Sequence, residues 1–315
     1  SDQIKILPNL RHMRYFISML LVWGAWSSAL SQKEFTVACI AFYNLENLFD
    51  TLDSPDTDDL EFTPKGPNLY NSKVYWDKQQ KLARVLSEIG LEYTPDGAAI
   101  LGVSEIENIS VLEDLVRQPA LAQRGYKIIQ QDSKDGRGVD VALLYQPRYF
   151  TPTSVFYYSL PTSAPGDSLR YSRDILFASG QLNGEPIIVS VNHWPSRRGG
   201  EQNTAHLRNA AAAHNRCVLD SMATHHQITK SIVMGDLNDD PVSESVRKYL
   251  RAKKSTEGLG SNDMFNPYEA FYKKGLGTTA YKDAWSLFDQ IILSSDLATS
   301  SIGFRYHKAV VFNPP

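Results

Sequence analysis

A chain of 315 residues with 42% hydrophobic and 21% charged side chains can bury a large core, which excludes a wholly disordered or collagen-like protein. With 32 Lys+Arg against 35 Asp+Glu the net charge is −3, so any polyanion must be met by a local basic patch and not by the surface as a whole. Two cysteines, Cys39 and Cys217, exclude both a disulfide scaffold and a four-cysteine zinc site.

Residues 1–12 are polar. Arg14 then opens an apolar run of about ten residues, and Ala29 and Ser31 stand at the −3 and −1 positions of a cut before Gln32, the layout of a signal peptide. A short membrane anchor is the competing reading. Cleavage would remove Lys5, Arg11, Arg14 and Asp2 and take the net charge from −3 to −5. The expectation is an exported protein, periplasmic or secreted, whose mature chain from residue 32 has no transmembrane segment. No cysteine follows the apolar run, so lipid attachment has no support there. Export would permit a Cys39–Cys217 disulfide; two buried thiols fit as well.

From residue 32 the chain reads as one domain, without repeats or low-complexity tracts. The acidic stretch 51–73, with Pro and Gly, predicts a long surface loop. Leu82, Val85, Leu86 and Ile89 follow at helical spacing and Gly90 stops that helix. Ser110 with Glu113 fits a capping box for a short helix over 111–117. Residues 204–222 also read as helix, and Asp240-Pro241 as an N-cap followed by Pro at the first helical position. Between them lie apolar, β-branched runs of strand length at 35–43, 98–103, 126–130, 139–145, 155–160, 175–182, 186–191, 231–234 and 288–293. Strands of this kind mixed with spaced helices predict an α/β or α+β layered fold with sheets buried on both faces.

Polar residues collect at the ends of these runs: Tyr43-Asn44-Leu45-Glu46, Ser104-Glu105-Ile106-Glu107-Asn108, Arg137-Gly138-Val139-Asp140, Asn192-His193-Trp194, Gly235-Asp236-Leu237-Asn238-Asp239-Asp240 and Phe288-Asp289-Gln290. Strand ends are where layered folds place their sites. Singly, each could be a turn or a helix cap. Glu107 and Asn108 read as helix-capping residues, Asp239 and Asp240 as a loop and an N-cap, and His225-His226 as a solvated helix end. Arg197 and Arg198, next to a His on a Gly-rich loop, suit a phosphate clamp, because Arg forks match phosphate. Arg208 could serve the same site or pair with a carboxylate. Asp140 could hydrogen-bond His193 and hold its tautomer.

In chain order, the series Tyr-Asn-Leu-Glu, Gly-Val-Ser-Glu, Asn-His-Trp, Gly-Asp-Leu-Asn and Phe-Asp-Gln resembles the endonuclease/exonuclease/phosphatase superfamily, over about residues 34–311. Arg-Gly-Val-Asp-Val-Ala-Leu-Leu-Tyr and Asn-His-Trp-Pro-Ser-Arg-Arg-Gly-Gly resemble its exported bacterial branch. The resemblance implies a DNase I-like four-layer sandwich, two mixed β-sheets flanked by helices. It also implies a phosphoric ester hydrolase using Mg²⁺ or Mn²⁺, with Ca²⁺ a further candidate. By the same resemblance Glu105 is a metal ligand, flanked by Asn44 and Glu46. Asp236 and Asn238 position and deprotonate the attacking water. His193 contacts the scissile phosphate or acts as general acid, and Asp289 orients a second, C-terminal His. The chemistry agrees, since phosphodiester hydrolysis needs a hard cation held by oxygen ligands. The superfamily's closing Ser-Asp-His does not follow Asp289, and His307 has no Asp before it. The expectation is therefore a sequence that stops short of the family's last strand, leaving Asp289 at one cleft with Asn44, Glu105, His193, Asp236 and Asn238 and with room for the absent His.

The first function expected is an exported divalent-metal-dependent phosphodiesterase, foremost a nuclease with nucleic acid as substrate and no stable protein partner. The second is a phosphatase or phospholipid-head-group phosphodiesterase with the same machinery. A reading of another class, a non-catalytic phosphate- or nucleic-acid-binding module, holds only if the natural chain ends at Pro315.

Overall fold

Nine strand-length runs become strands of two sheets, in a computed structural model that describes residues 36–163 and 168–313. All the elements fall within the unit Ala38–Pro315. The expected signal peptide, and Phe35 of the first expected strand, lie outside the described residues.

The first sheet has the order β1-β2-β4-β3, from β1 (Cys39–Leu48), β2 (Ala98–Ile106), β3 (Lys127–Gln130) and β4 (Asp140–Tyr145). The second has the order β5-β6-β7-β8-β13-β10-β9. Its main strands are β5 (Phe150–Tyr158), β6 (Ile175–Leu182), β7 (Glu185–His193), β8 (Ser231–Asp236) and β13 (Asp289–Ser294). The two-residue strands β9 (Ala252–Lys253) and β10 (Met264–Phe265) edge it, and β11 (Thr279–Tyr281) pairs with β12 (Ala284–Ser286) as a separate hairpin. Both main sheets are mixed: β1 with β2 and β7 with β8 run parallel, whereas β2–β4, β6–β7 and β8–β13 are antiparallel.

Side chains alternate along these strands, and both faces are apolar. Ile100, Val141, Leu143, Ile232 and Met234 fill the space between the sheets. Their neighbours Leu101, Ala142 and Leu144 pack instead with Ala83, Leu86, Leu112 and Leu115 of α1 (Ser72–Glu88) and α2 (Ile109–Arg117). Ile188, Val233 and Ile292 pack on Ala211, Ala212 and Leu219 of α4 (Glu201–His225), which follows the single turn α3 (Pro119–Ala122). The order is helices, sheet, sheet, helix, a four-layer α+β sandwich held by three apolar clusters. Two glycines set its closest approaches. A Cβ at Gly102 of β2 would stand 2.5 Å from Met234 Sδ across the sheets, and one at Gly235, whose φ is 153°, would stand 2.1 Å from the Asn192 carbonyl oxygen.

The local expectations fail where a distant partner intervenes. The helix expected over 111–117 starts at Ile109, because Asn108 and not Ser110 is its cap, accepting from the backbone of Ser110 and Val111. Asp240 caps no helix: its carboxylate accepts from the Leu287 backbone and pairs with Arg197. The acidic loop runs to Asn71, the cap of α1; its Tyr70 is buried, and it includes a turn of 3₁₀ helix at Leu60–Phe62. Cys39 is half-buried and Cys217 exposed, both as free thiols, so neither the disulfide nor a pair of buried thiols is found.

Candidate active site

Five strand ends carry the chemistry. His193 closes β7, stands in register with Asp236 at the end of β8, and Asp236 stands in register with Asp289 at the start of β13. This row is met from the other sheet by Asn44 on β1 and Glu105 on β2. Both of those parallel strands break register at the same level, between Asn44 and Leu48 and between Ser104 and Ile106. The breaks are built from left-handed residues, Glu46 (φ 53°), Asn47 (φ 58°) and Glu105 (φ 59°). Such conformations at non-glycine residues cost about 1–3 kcal/mol each and survive only where neighbours over-determine them. The fully buried Leu45, Leu48 and Ile106 anchor both sides of the breaks. The Asn44 side-chain oxygen accepts from the Glu46 backbone at 2.8 Å, and Lys78 of α1 donates to the carbonyls of Glu46 and Asn47.

The Asn44 amide bridges the sheets, donating at 3.2 Å both to Glu105 Oε1 and to Asp236 Oδ2. His193 Nε2 lies 3.8 Å from Glu105 Oε1 and 3.7 Å from Asp236 Oδ2, too far for hydrogen bonds. Glu105, His193 and Asp236 each offer a ligand atom, all within 4.8 Å of one another. Burial pushes the Asp236 carboxyl up to about 6, with Glu105 adding to the effect, and pushes Asp289 up to about 8, with Asp236 adding to it. Burial holds His193 well below its usual range, and Arg173 and Arg137 press it further, so the imidazole is neutral at pH 7. His193 Nδ1 and Asp289 Oδ1 are buried with no hydrogen-bond partner among the described residues. Concentrated negative charge, hard oxygen donors and a neutral imidazole nitrogen form a donor set that fits a divalent cation.

The supports of this site are long-range. Asn238 (φ 49°) donates its backbone N–H to Asp236 Oδ1 and its side-chain amide to the Trp194 carbonyl. The Asn192 and Trp194 side chains turn away from the site into a buried network, Trp194 Nε1 and Asn215 Nδ2 both donating to Asn192 Oδ1.

The structure therefore gathers Asn44, Glu105, His193, Asp236 and Asn238, with Asp289 next in the row. Glu46 is exposed and outside the three-atom group. Asp140 does not hold His193: its carboxylate accepts from the Ser133 backbone and Gln130. Arg208 is fully buried and pairs with Asp239 at 2.8 Å, and Arg197 pairs with Asp239, Asp240 and Glu201. Neither guanidinium is free to clamp phosphate; Arg198 is exposed. The sequence reading passed over two cations. Arg173, 6% exposed, donates to the Trp194 carbonyl and depresses His193; its one signal is a charge against an apolar strand, in Arg173-Asp174-Ile175. Lys78 carries no local signal, being one polar residue of an amphipathic helix.

Two mixed sheets between helix layers, with acids, amides and a His at adjoining strand ends, define a DNase I-like α+β fold. The sequence pattern of the endonuclease/exonuclease/phosphatase family matches residues 39–315, and the chain belongs to that family. Members of the family are phosphoric ester hydrolases. Solved structures of similar fold include a mannosyl-6-phosphatase from Bacteroides thetaiotaomicron, 15% identical over 82% of this chain and 85% of that one, TM-score 0.50. A second protein of the family from the same organism is 15% identical over 81% of each chain, TM-score 0.50. ANGEL2, a 2′,3′-cyclic phosphatase crystallised with adenosine-2′,3′-vanadate, is 16% identical over 71% of this chain and 76% of that one, TM-score 0.51. At such identities the likeness concerns the fold. No curated protein matches the chain.

Proposed function

We propose that the protein is a divalent-metal-dependent phosphodiester hydrolase. The observation that carries this reading is the convergence of Glu105, His193 and Asp236, tied across the two sheets by the Asn44 amide. Glu105, with Asn44 beside it, would hold Mg²⁺ or Mn²⁺, Ca²⁺ being a further candidate, and a bound cation supplies charge neutralisation at the phosphoryl and leaving oxygens. Asp236, whose carboxyl is pushed up to about 6, suits a group that takes a proton near neutral pH, and its oxygen is steered by the Asn238 N–H. Neutral His193 turns its Nε2 toward Glu105 and Asp236, where it can meet a phosphoryl or leaving-group oxygen.

Nucleic acid is the first substrate of this reading, by the chemistry of the site. One observation favours the second, a phosphomonoester or a small phosphodiester such as a lipid head group: Arg197 and Arg208 are committed to carboxylates, which weakens the case for a polyanion clamp. Plasmid DNA, RNA, a nucleotide phosphodiester, sphingomyelin and an inositol phosphate, each assayed with Mg²⁺ and with chelator, separate the two. Turnover of the first three alone fixes a nuclease. Turnover of none contradicts the proposal. Export belongs to the same reading and rests on the layout of residues 13–31. Among the described residues no helix is long and apolar enough to cross a membrane. Mature protein from a native-like host should begin near Gln32; a soluble cytosolic product beginning at Met13 contradicts export.

A further inference from the structure

The geometry points to Arg197 as a positioning residue: it locks the Asp236–Asn238 turn to the loop after β7 and to the entry of β13, and so keeps groups from three strands in register. This rests on the hydrolase reading above, and it replaces the phosphate clamp expected from the sequence. Arg197 Nε donates to the Asn238 carbonyl at 2.9 Å, and Nη2 reaches Asp239 Oδ1 at 3.1 Å and Asp240 Oδ2 at 3.2 Å. Its guanidinium lies over the Phe288 ring, 4.7 Å from the centroid, one residue before Asp289. Nη1 faces Glu201 at the start of α4. One side chain thus touches the turn that carries Asp236 and Asn238 and the residue that precedes Asp289, while its own backbone belongs to the loop that follows His193.

The turn needs such a lock. Asn238 sits in the left-handed region, a conformation kept only by surrounding contacts. The Arg197 bond to its carbonyl is one of those contacts; the others are its own amide bonds to Asp236 and Trp194. The fold does not depend on Arg197 in the same way. Without it, Asp239 keeps Arg208 and Ser245, and Asp240 keeps the Leu287 N–H. Removal should therefore loosen the turn and leave the sandwich standing. A Lys at this position retains charge but has no planar fork to serve the carbonyl, two carboxylates and a ring face together.

The test uses the full chain and the variants R197M, R197K and R198M. Amide hydrogen exchange is read over peptides spanning 234–242, and hydrolysis of bis(p-nitrophenyl) phosphate with Mg²⁺ is read as kcat and KM separately. The expected result is faster exchange in that segment for R197M and, to a smaller degree, R197K. R198M, whose side chain has no hydrogen bond or ion pair among the described residues, should leave the segment as in the wild type. The expected kinetic result for R197M is a kcat loss of about tenfold to 10²-fold, the scale of an ångström-sized misplacement, with KM moving by no more than about twofold. Unchanged exchange in R197M overturns the proposal. So does a raised KM at unchanged kcat, the signature of a phosphate grip. A wild type that hydrolyses no phosphoester defeats the hydrolase reading, and the exchange result then decides the positioning role by itself. If R197M does not fold, R197K carries the same two readings.

Discussion

Asp289 stands directly across the β8–β13 ladder from Asp236; burial, with Asp236 adding to it, pushes Asp289 up to about 8, and burial, with Glu105 adding to it, pushes Asp236 up to about 6. For a carboxyl whose folded value exceeds its unfolded one, the stabilisation is complete below the unfolded pKa and is lost as pH rises through the folded one. Metal-free protein should lose stability between pH 4 and about 8 on account of this pair. Asp289→Asn should flatten that decline and melt several degrees above wild type at pH 9 in chelator, while agreeing with it more closely at pH 5. A variant that melts below wild type at both pH values contradicts the assignment. The same linkage requires Mn²⁺ binding to release protons and to tighten from about pH 6 to 8, which calorimetry in buffers of different ionisation heat detects.

Asn44→Ala removes the amide that spaces Glu105 and Asp236. Two part-buried hydrogen bonds to carboxylates are worth about 1–3 kcal/mol each, and chelated protein should lose stability on that order. Hydrolysis should fall by about tenfold or more, because the two carboxylates then repel without a bridge. Added metal should recover part of the stability and little of the rate. Full activity in this variant shows that the bridge is dispensable.

Gly235→Ala tests the strand end itself. Its Cβ would stand 2.1 Å from the Asn192 carbonyl, at a φ of 153° that side chains rarely adopt. β7 and β8 are paired at this level, Asn192 with Gly235 and His193 with Asp236, so relief of the clash should shift His193 against Asp236. A loss of about 3 kcal/mol or more, measured by denaturant unfolding, is expected. A loss under about 1 kcal/mol means that the strand end yields freely.

Glu107 is 8% exposed and raised to about 7, first by burial, although it accepts from the Asp50 backbone and Ser54 Oγ. Its contribution to stability is therefore lost as pH climbs to about 7. Glu107→Gln can keep both contacts, one amide oxygen for the Asp50 N–H and an amide N–H for Ser54. It should gain stability at pH 8 relative to wild type and none at pH 4, as read by thermal melting. A loss at pH 8 contradicts the assignment.

The layered fold was legible because burial on both faces writes continuous apolar runs, and nine of them became strands with ends displaced by a few residues. The short strands β9–β12 were not, since two or three residues carry no periodicity. The assembly of Asn44, Glu105, His193, Asp236 and Asn238 was legible in the motifs' order. The roles of arginines were not. Whether a guanidinium faces phosphate or carboxylate depends on partners far along the chain: Arg197 is fixed by the turn at 238–240, and Arg208 by Asp239. Asp240 caps no helix for the same reason: its carboxylate accepts from the distant Leu287 N–H.

The central claim, that a divalent cation held at Glu105, beside His193 and Asp236, drives phosphoester hydrolysis, is tested most directly by Glu105→Gln. The change removes ligand charge and almost no volume at a side chain 20% exposed, so the fold should survive and circular dichroism should match wild type. With the substrate the wild type turns over best, activity should vanish in EDTA and return with Mg²⁺, and the variant should fall by about 10²–10³-fold or more. Equal rates in EDTA and Mg²⁺, or an active Glu105→Gln protein, would contradict the account.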